Sequence, residues 1–295
     1  MKASGHRVFS FSRIAAIAGN TLVGLTRLKI FYVVLLFALL VIGGSFFMAQ
    51  MTFQQEFQVL KDISLGAMSI FTSLLAVITT ARLLPQEIED RTAYTVLAKP
   101  VSRFEYLAGK LLGVLSLLAL NLLAMSALFF VVLSVREQSA LSELARQMTA
   151  APPEQAAEAL RLVRADAFNS HLLSGIAIVY VKGCLLASLT LLVSTFASST
   201  IFTTVVMAFV YFIGHLQGMA REYWLQTDNA GWITKTFLAC IVLIFPDLQL
   251  FNLADDVAAG NLIPLAVLGK TAGLGLFYTA FYLLLAWSVF WRKEL

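Results

Sequence analysis

Side chains that commonly carry catalysis or bind metals are sparse in this sequence and widely separated. Its three histidines, His6, His171 and His215, fall on different segments, which argues against a histidine-based metal site. The two cysteines, Cys184 and Cys240, lie in apolar surroundings and outside any CxxC pattern, which favours a role as small hydrophobic residues. We therefore predict that this chain has no catalytic residue, no metal site and no enzymatic activity of its own.

A charged residue stands inside one of the apolar runs. Lys182 lies several residues from the start of the run 172–197, the end that the charge distribution below places outside the cell. A charge within a membrane span costs about 2.5 to 3.5 kcal/mol on insertion scales and is often functional. Two purely structural roles stay open for it, because the ammonium can extend to the membrane surface or can pair with Asp62. Thr72 and Thr79 lie in a run rich in small and hydroxyl residues, which either pack helices closely or line a polar path. Together with Lys182 they are the candidates for a substrate path.

The overall composition places these residues in a membrane protein. Hydrophobic residues make up 59% of the 295 residues and charged residues only 13%, about half the share found in soluble domains. Long runs of Leu, Val, Phe and Ala lack the alternation of a barrel strand, and a helix satisfies its own backbone groups in lipid. We therefore predict an all-α integral membrane protein surrounded by membrane lipid.

Six apolar runs are long enough to cross a bilayer, which takes about 20 residues. The first run follows a long basic segment and lacks the pattern of a cleavable signal, so we expect it to be retained. The run 236–246 is too short to cross, and we predict a re-entrant or interfacial segment before the last span. The spans of this transmembrane domain, residues 30–295, are predicted at 30–49, 63–84, 111–135, 172–197, 201–218 and 270–291.

Residues 1–29 precede the first span, and we predict that they form an amphipathic helix. Phe11, Ile14 and Ala18 recur at three- and four-residue steps, whereas Arg13 falls on the opposite side. Such a helix lies either in the membrane interface or against another part of the protein, and the pattern does not distinguish the two. In both cases the helix stays on one side of the membrane.

The charge distribution predicts the side of the membrane on which each connection lies. With the N terminus inside, the inner segments carry more cations than acids and the outer segments carry more acids than cations. Because positive charge marks the cytoplasmic side, we expect both termini and the loop 85–110 to be cytoplasmic. The polar stretch 136–171 then lies outside, as a helical hairpin broken at Pro152 and Pro153. The net charge of +4 reflects this sidedness, and we predict no nucleic-acid partner.

The loop 85–110 contains a signal for a helix of its own. Pro85 suits the first turn of a helix. Glu87 and Arg91 are four residues apart, which is the spacing of a favourable surface pair on a helix. We therefore predict that a helix begins at Pro85.

A break and a second helix follow in the same loop. Pro100 disfavours helical geometry at the residue before it, and Ser102 with Glu105 matches the capping box that opens a helix. This second helix runs directly into the third span, so a force on the loop would be carried into the bilayer. The same pattern fits an ordinary amphipathic connector, and both interpretations remain open.

The residues of this loop resemble a known family. The order Glu87-x-Glu89-x-x-Thr92, Leu97, Pro100-Val-Ser102-Arg103 and Gly109-Lys110 is similar to the first cytoplasmic loop of type-2 ABC exporter permeases, especially the branch described as the permease component for copper-enzyme maturation. In that family the loop forms the coupling helix that docks on a separate ATP-binding subunit. The resemblance implies this coupling role for Glu87, Glu89, Arg91, Thr92, Pro100, Ser102 and Arg103.

The same resemblance implies the rest of the assembly. The sequence has no G-x-x-x-x-G-K-[ST] phosphate loop, so ATP and Mg are expected on two copies of a partner ATPase subunit, with no cofactor in this chain. Six spans form half a pore, which implies a second permease subunit, expected as a homodimer in the bacterial cytoplasmic (inner) membrane. The function implied is a permease subunit of an ATP-driven exporter. The alternative is a non-transporting component that transmits force from an ATPase to a periplasmic partner through the hairpin 136–171.

Overall fold

The computed structural model describes most of the chain. The described residues are 10–50, 56–92, 101–147, 153–168, 171–197, 199–226, 246–252, 257 and 264–292. Within these ranges the regular structure is helical and contains no strand, which confirms the predicted all-α class. Pro100, Pro152 and nearly all of the run 236–246 lie outside the described residues.

The described residues form eight α-helices and one short 3₁₀ helix. They are α1 (Phe11–Thr26), α2 (Lys29–Gln50), α3 (Glu56–Glu89), α4 (Arg103–Gln147), α5 (Pro153–Ala167), α6 (His171–Phe196), α7 (Thr200–Gln226), the 3₁₀ helix (Leu248–Phe251) and α8 (Leu265–Arg292). Six of them, α2, α3, α4, α6, α7 and α8, are long and apolar enough to cross a membrane, as predicted.

Several helices continue beyond the predicted spans, and two of these extensions, in α3 and α4, change the predicted connections. Helix α3 runs through Pro85 to Glu89, so the prediction that a helix begins at Pro85 is wrong. Proline removes one hydrogen bond from a helix, yet α3 continues through Pro85, which is a buried residue of this helix. Helix α4 continues past Val135 to Gln147, so the first arm expected in the stretch 136–171 is an extension of the third span, and its second arm is α5.

Close packing among α3, α4 and α6 forms the centre of the bundle. Helix α6 is buried along most of its length and contacts both α3 and α8 extensively. A Cβ added at Gly183 on α6 would lie 3.0 Å from Cγ2 of Thr72 on α3. Ser45 on α2 and Ser64 on α3 bring their hydroxyl oxygens to 3.4 Å. Small and hydroxyl residues therefore allow these helices to approach closely.

Helix α1 packs against the first turns of α4. A Cβ added at Gly109 would lie 2.7 Å from Cβ of Ile17, and one added at Gly113 would lie 2.6 Å from Cβ of Thr21. Only glycine permits this approach without displacing α1. The opposite face of α1 includes Val23, which is 49% exposed. One face of the amphipathic helix therefore lies against protein.

Helix α5 packs at the opposite end of the bundle, against the last turns of α4. Lys61 near the start of α3 donates a hydrogen bond to the backbone carbonyl of Asp166. Arg136 on α4 pairs with Glu56 at the start of α3. We call the end of the bundle where α5 packs the α5 end, and the end where α1 packs against α4 the α1 end.

Candidate functional site

Glu87 joins the two helices that flank the polar loop at the α1 end. It lies in the last turn of α3 and accepts hydrogen bonds from the Tyr106 hydroxyl and the Lys110 ammonium of α4. The Lys110 side chain is 7% exposed and that of Glu87 is 24% exposed. The Lys110 ammonium also lies 5.6 Å from the centre of the Tyr106 ring. This largely buried ion pair ties α3 to α4.

Arg91 does not form the predicted pair with Glu87. Helix α3 ends at Glu89, and Arg91 follows it with a φ of 56°, in the left-handed region. The spacing that would bring the two side chains together exists only within a helix, so Glu87 pairs with Lys110 instead. The prediction of a Glu87–Arg91 pair is wrong.

The capping box that the sequence predicts at Ser102 is confirmed. The backbone N–H of Ser102 donates to Oε2 of Glu105 at 2.7 Å, and the backbone N–H of Glu105 donates to Oγ of Ser102 at 3.1 Å. Glu105 also accepts a hydrogen bond from the backbone N–H of Ser10 at 2.8 Å, and its carboxylate lies 3.8 Å from the Arg13 guanidinium. The first turn of α4 is thereby attached to the first turn of α1.

Arg103 binds the C-terminal end of the last helix. Its guanidinium donates hydrogen bonds to the backbone carbonyls of Phe290 at 2.8 Å and Trp291 at 2.7 Å, and lies 5.9 Å from the centre of the Phe290 ring. A cation at this position satisfies carbonyls that lack a partner within the helix and interacts favourably with the helix dipole. Arg103 therefore attaches α8 to the start of α4.

Six of the seven predicted coupling residues are described, and they fall into two groups. One group is engaged by contacts within the protein: Glu87, Ser102 and Arg103. The other group is exposed around the end of α3: Glu89, Arg91 and Thr92. The second group presents exposed side chains that a partner protein can contact, although the Thr92 hydroxyl also donates to the backbone carbonyl of Glu87 at 3.3 Å.

A polar cleft of about 340 Å³ lies beside this exposed group, between α1 and α3. Asn20 and Arg27 of α1 line one side, and Arg82 and Asp90 line the other, near the Glu87–Lys110 pair. The sequence alone does not single out Asn20 or Arg27 as site residues. The cations at the end of α1 could have indicated a charged site there. The position of that end beside α3, however, depends on the packing of α1 against α4.

A second polar site lies in the middle of the bundle, around Lys182. This residue is 1% exposed and stands about 16 Å from the start of α6 and about 21 Å from its end, at 1.5 Å per residue. Its ammonium donates to Oγ of Ser69 on α3 at 3.1 Å and lies 3.2 Å from Nε2 of His215 on α7. Lys182 therefore neither extends to the surface nor pairs with Asp62, the two structural roles that the sequence left open.

The hydrogen bonds of His215 determine which of its nitrogens accepts from Lys182. Its Nδ1 lies 2.9 Å from the backbone carbonyl of Tyr211, so Nδ1 carries the proton and Nε2 is the acceptor in the neutral ring. The ammonium also lies 5.7 Å from the centre of the Tyr211 ring. In the part of the chain that the structure describes, no carboxylate lies within 4 Å of this ammonium.

The other two candidate path residues lie on α3 at different distances from this site. Thr72 faces Gly183, the residue after Lys182, and its buried hydroxyl has no hydrogen-bond partner among the described residues. Thr79 lies about two turns further along α3 and donates to the backbone carbonyl of Leu75 at 2.6 Å. The structure therefore brings Thr72 close to Lys182 but leaves Thr79 bonded within its own helix.

Among the described residues, no group of three or more His, Cys, Asp and Glu side chains is placed to hold a metal ion. Polar side chains of the described residues instead form two candidate sites. One is the charged junction at the α1 end of the bundle, and the other is the buried cation between three apolar helices.

Six apolar helices, with a charged junction between the second and the third, define an integral membrane protein of the transporter-permease class. The sequence matches the family model of the ABC-2 family transporter protein over residues 23–295, and the chain belongs to this family. It is therefore the membrane component of an ABC transporter, and membership implies a separate ATPase subunit as partner. No curated protein matches the sequence. The copper-enzyme branch stays a prediction.

Proposed function

We propose that this chain is the permease subunit of an ATP-driven exporter and that the ATPase subunit docks on the exposed group at the end of α3. One observation carries the proposal: Glu89, Arg91 and Thr92 are exposed, while the residues on both sides of them are bound to the bundle. A docking surface must be accessible to its partner and firmly attached to what it moves. The junction at the α1 end meets both requirements.

The two helices that meet at this junction are long enough to carry movement through a membrane. Helix α3 has 34 residues and α4 has 45 residues, which correspond to about 51 Å and about 68 Å. Closure of an ATPase dimer on ATP moves the docked turn, and the Glu87–Lys110 pair transmits this movement to both helices. The spans then change between inward-open and outward-open arrangements.

The remaining parts of the proposal follow from the family resemblance and the charge distribution. The assembly contains two copies of this permease and two ATPase subunits, which bind ATP and Mg. The α1 end faces the cytoplasm, together with both termini, and the α5 end faces outward from the bacterial inner membrane. Pro100 contributes to the coupling segment between the described residues Thr92 and Val101.

Charge reversal at the exposed group tests the docking surface. Glu89→Arg and Arg91→Glu should each abolish co-purification of the ATPase subunit, because a like charge placed against a complementary surface costs several kcal/mol. The amount of permease in the membrane should not change. The matched control is Glu143→Arg, which reverses an exposed acid at the α5 end. ATPase recovery equal to that of the wild type in both variants would contradict the proposed docking surface.

A second candidate function is force transmission to a periplasmic partner without transport. Helix α4 is continuous from the α1 end to the α5 end, and α5 is attached there through Lys61. Replacing α5 by a flexible Gly/Ser linker of equal length discriminates the two functions. Loss of partner capture with normal export of substrate favours force transmission, whereas loss of export favours the permease function.

A further inference from the structure

We propose that the groove between α3 and α7 beside Lys182 binds an amphiphile with an acidic headgroup and a hydrocarbon chain. The headgroup is recognised by the Lys182 ammonium, and the chain lies in the groove. This proposal names the substrate class of the exporter proposed above and depends on that function only for the movement of the bound molecule. Binding itself requires no ATPase.

The first observation is a buried cation whose capacity for hydrogen bonds is incompletely used. An ammonium has three N–H donors, and the described residues offer it two acceptors, Ser69 and His215. Both acceptors are neutral, so they satisfy hydrogen bonds without balancing the charge. Burying a cation without a paired anion costs several kcal/mol. Among the described residues, one N–H donor of Lys182 thus has no acceptor, and its positive charge has no paired anion.

The second observation is an apolar groove next to the cation site, whose lining includes Ser73 and Tyr211 but not Lys182 itself. It has a volume of about 250 Å³ and is lined by α3 and α7. Ile70 and Phe212, which line it, are 59% and 65% exposed, so the groove opens at the surface of the described helices, whereas Met207 in its lining is fully buried. This volume lies below the range of about 300 to 1,000 Å³ typical of pockets for drug-sized ligands. A hydrocarbon chain suits such a groove better than a bulky ring system.

Two residues belong to both the groove and the cation site. Ser73 lines the groove and donates through its hydroxyl to the backbone carbonyl of Ser69, whose own hydroxyl accepts from Lys182. Tyr211 also lines the groove, and its ring lies 5.7 Å from the Lys182 ammonium. These two side chains lie between the groove and the Lys182 ammonium, which does not itself line the groove, so the headgroup of a bound chain must pass them to reach the cation.

The charges near the groove exclude other classes of ligand. A cationic amphiphile would be repelled by Lys182 across a region of low dielectric constant, and a soluble anion would lack the apolar chain that fills the groove. Asp247, at the start of the 3₁₀ helix, acts electrostatically on His215 but lies beyond salt-bridge distance of Lys182. An acidic headgroup on a hydrocarbon chain is the chemistry that matches both parts of the site.

Equilibrium binding of radiolabelled dodecyl phosphate tests the cation. The full-length chain is placed in phosphatidylcholine nanodiscs, and we expect saturable binding that Lys182→Met weakens by at least about tenfold, the loss expected for a charge-assisted hydrogen bond. Lys182→Arg keeps the charge and should retain binding within about threefold. The matched control is Lys61→Met, which removes another buried lysine, at the α5 end. Equal affinity in Lys182→Met and the wild type, or an equal loss in Lys61→Met, would overturn the proposal.

Filling the groove tests the hydrocarbon chain and does not depend on the folding of the Lys182 variants. Ala208 is exposed and lines the groove, so Ala208→Phe should weaken binding of dodecyl phosphate by about tenfold or more, because the chain loses its apolar contact. Val205→Phe adds the same ring to an exposed position of α7 outside the groove and should leave binding unchanged. Identical effects of the two variants would overturn the assignment of the groove.

Competing ligands identify the headgroup and the source of the affinity. Unlabelled dodecyl phosphate should displace the probe, whereas dodecyltrimethylammonium and inorganic phosphate should not. Displacement by the cationic amphiphile would exclude recognition by Lys182, and displacement by inorganic phosphate at equal concentration would exclude a role for the chain. Because these assays contain no ATPase, failure to bind the probe is separable from failure of the docking variants Glu89→Arg and Arg91→Glu.

Discussion

Two buried lysines of this protein have almost the same aromatic contact and opposite electrostatic surroundings. The Lys110 ammonium lies 5.6 Å from the ring centre of Tyr106, and the Lys182 ammonium lies 5.7 Å from that of Tyr211. Lys110 is paired with the carboxylate of Glu87, whereas Lys182 donates to the neutral acceptors Ser69 and His215. The aromatic contact is shared, so the anion is what distinguishes the two sites.

This difference separates a cation that holds the protein together from one that remains available for binding. The charge of Lys110 is balanced within the chain, and removing either partner leaves the other uncompensated. The charge of Lys182 has no paired anion among the described residues, so the native protein already bears the free-energy cost of burying it. Residues that reduce stability in this way are often functional. Substitutions at the two lysines and around them should therefore differ in their effect on stability.

The largest effect is expected from breaking the balanced pair. Glu87→Leu leaves Lys110 buried without its anion, and we expect a loss of about 3 kcal/mol in the free energy of unfolding. Equilibrium unfolding of the purified chain in detergent measures it. Glu89→Leu, which changes an exposed carboxylate two residues away, should change the stability by no more than about 0.5 kcal/mol. Similar losses in the two variants would show that the Glu87–Lys110 pair does not stabilise the α1 end.

A smaller loss is expected where α1 packs on α4 near this pair. Gly113→Ala places a methyl group against Thr21, and we expect a loss of about 1 to 3 kcal/mol from overpacking. Gly24→Ala on α1, where a Cβ meets nothing within 4 Å, should instead stabilise the helix by about 0.5 to 1 kcal/mol. Thermal unfolding of both variants checks the sign. A loss of stability in Gly24→Ala as large as that in Gly113→Ala would contradict the close packing of α1 and α4.

The smallest effect is expected at the unbalanced cation. Lys182→Met removes a buried charge that has no anionic partner among the described residues, so the stability should stay within about 1 kcal/mol of the wild type or rise. Lys110→Met should destabilise the protein, because it leaves Glu87 without its cation. The same unfolding measurement on both variants decides the comparison. A loss in Lys182→Met as large as that in Lys110→Met would remove the distinction between the two sites.

The fold was predictable where local sequence controls it. Apolar run length predicted the six helices that are long enough to span a membrane, and the Ser102–Glu105 spacing predicted the start of α4. Local rules were misleading at Pro85, because α3 continues through this buried proline although the isolated sequence favours a new start there, and membrane helices tolerate proline where surrounding groups satisfy the freed backbone. Helix ends depend on neighbours more than helix centres do.

The candidate sites were predictable in part. The loop that carries Glu89 and Arg91 was identified from its charge and its resemblance to a family, but the sequence did not indicate that Glu87 and Arg103 are engaged inside the protein. Lys182 was conspicuous as a charge in an apolar run. Its partner His215 lies 33 residues away on another helix, and no local pattern connects the two.

The sequence by itself determined that this chain is a helical membrane protein with six spans, because a bilayer admits only long apolar segments with satisfied backbone groups. It also determined where polar side chains interrupt those segments. Only the tertiary structure decided which of these side chains neutralise one another. Electrostatic energy depends on the distance between charges in space, and the packing of α3, α4, α6 and α7 brings Glu87 to Lys110 while leaving Lys182 beside neutral groups.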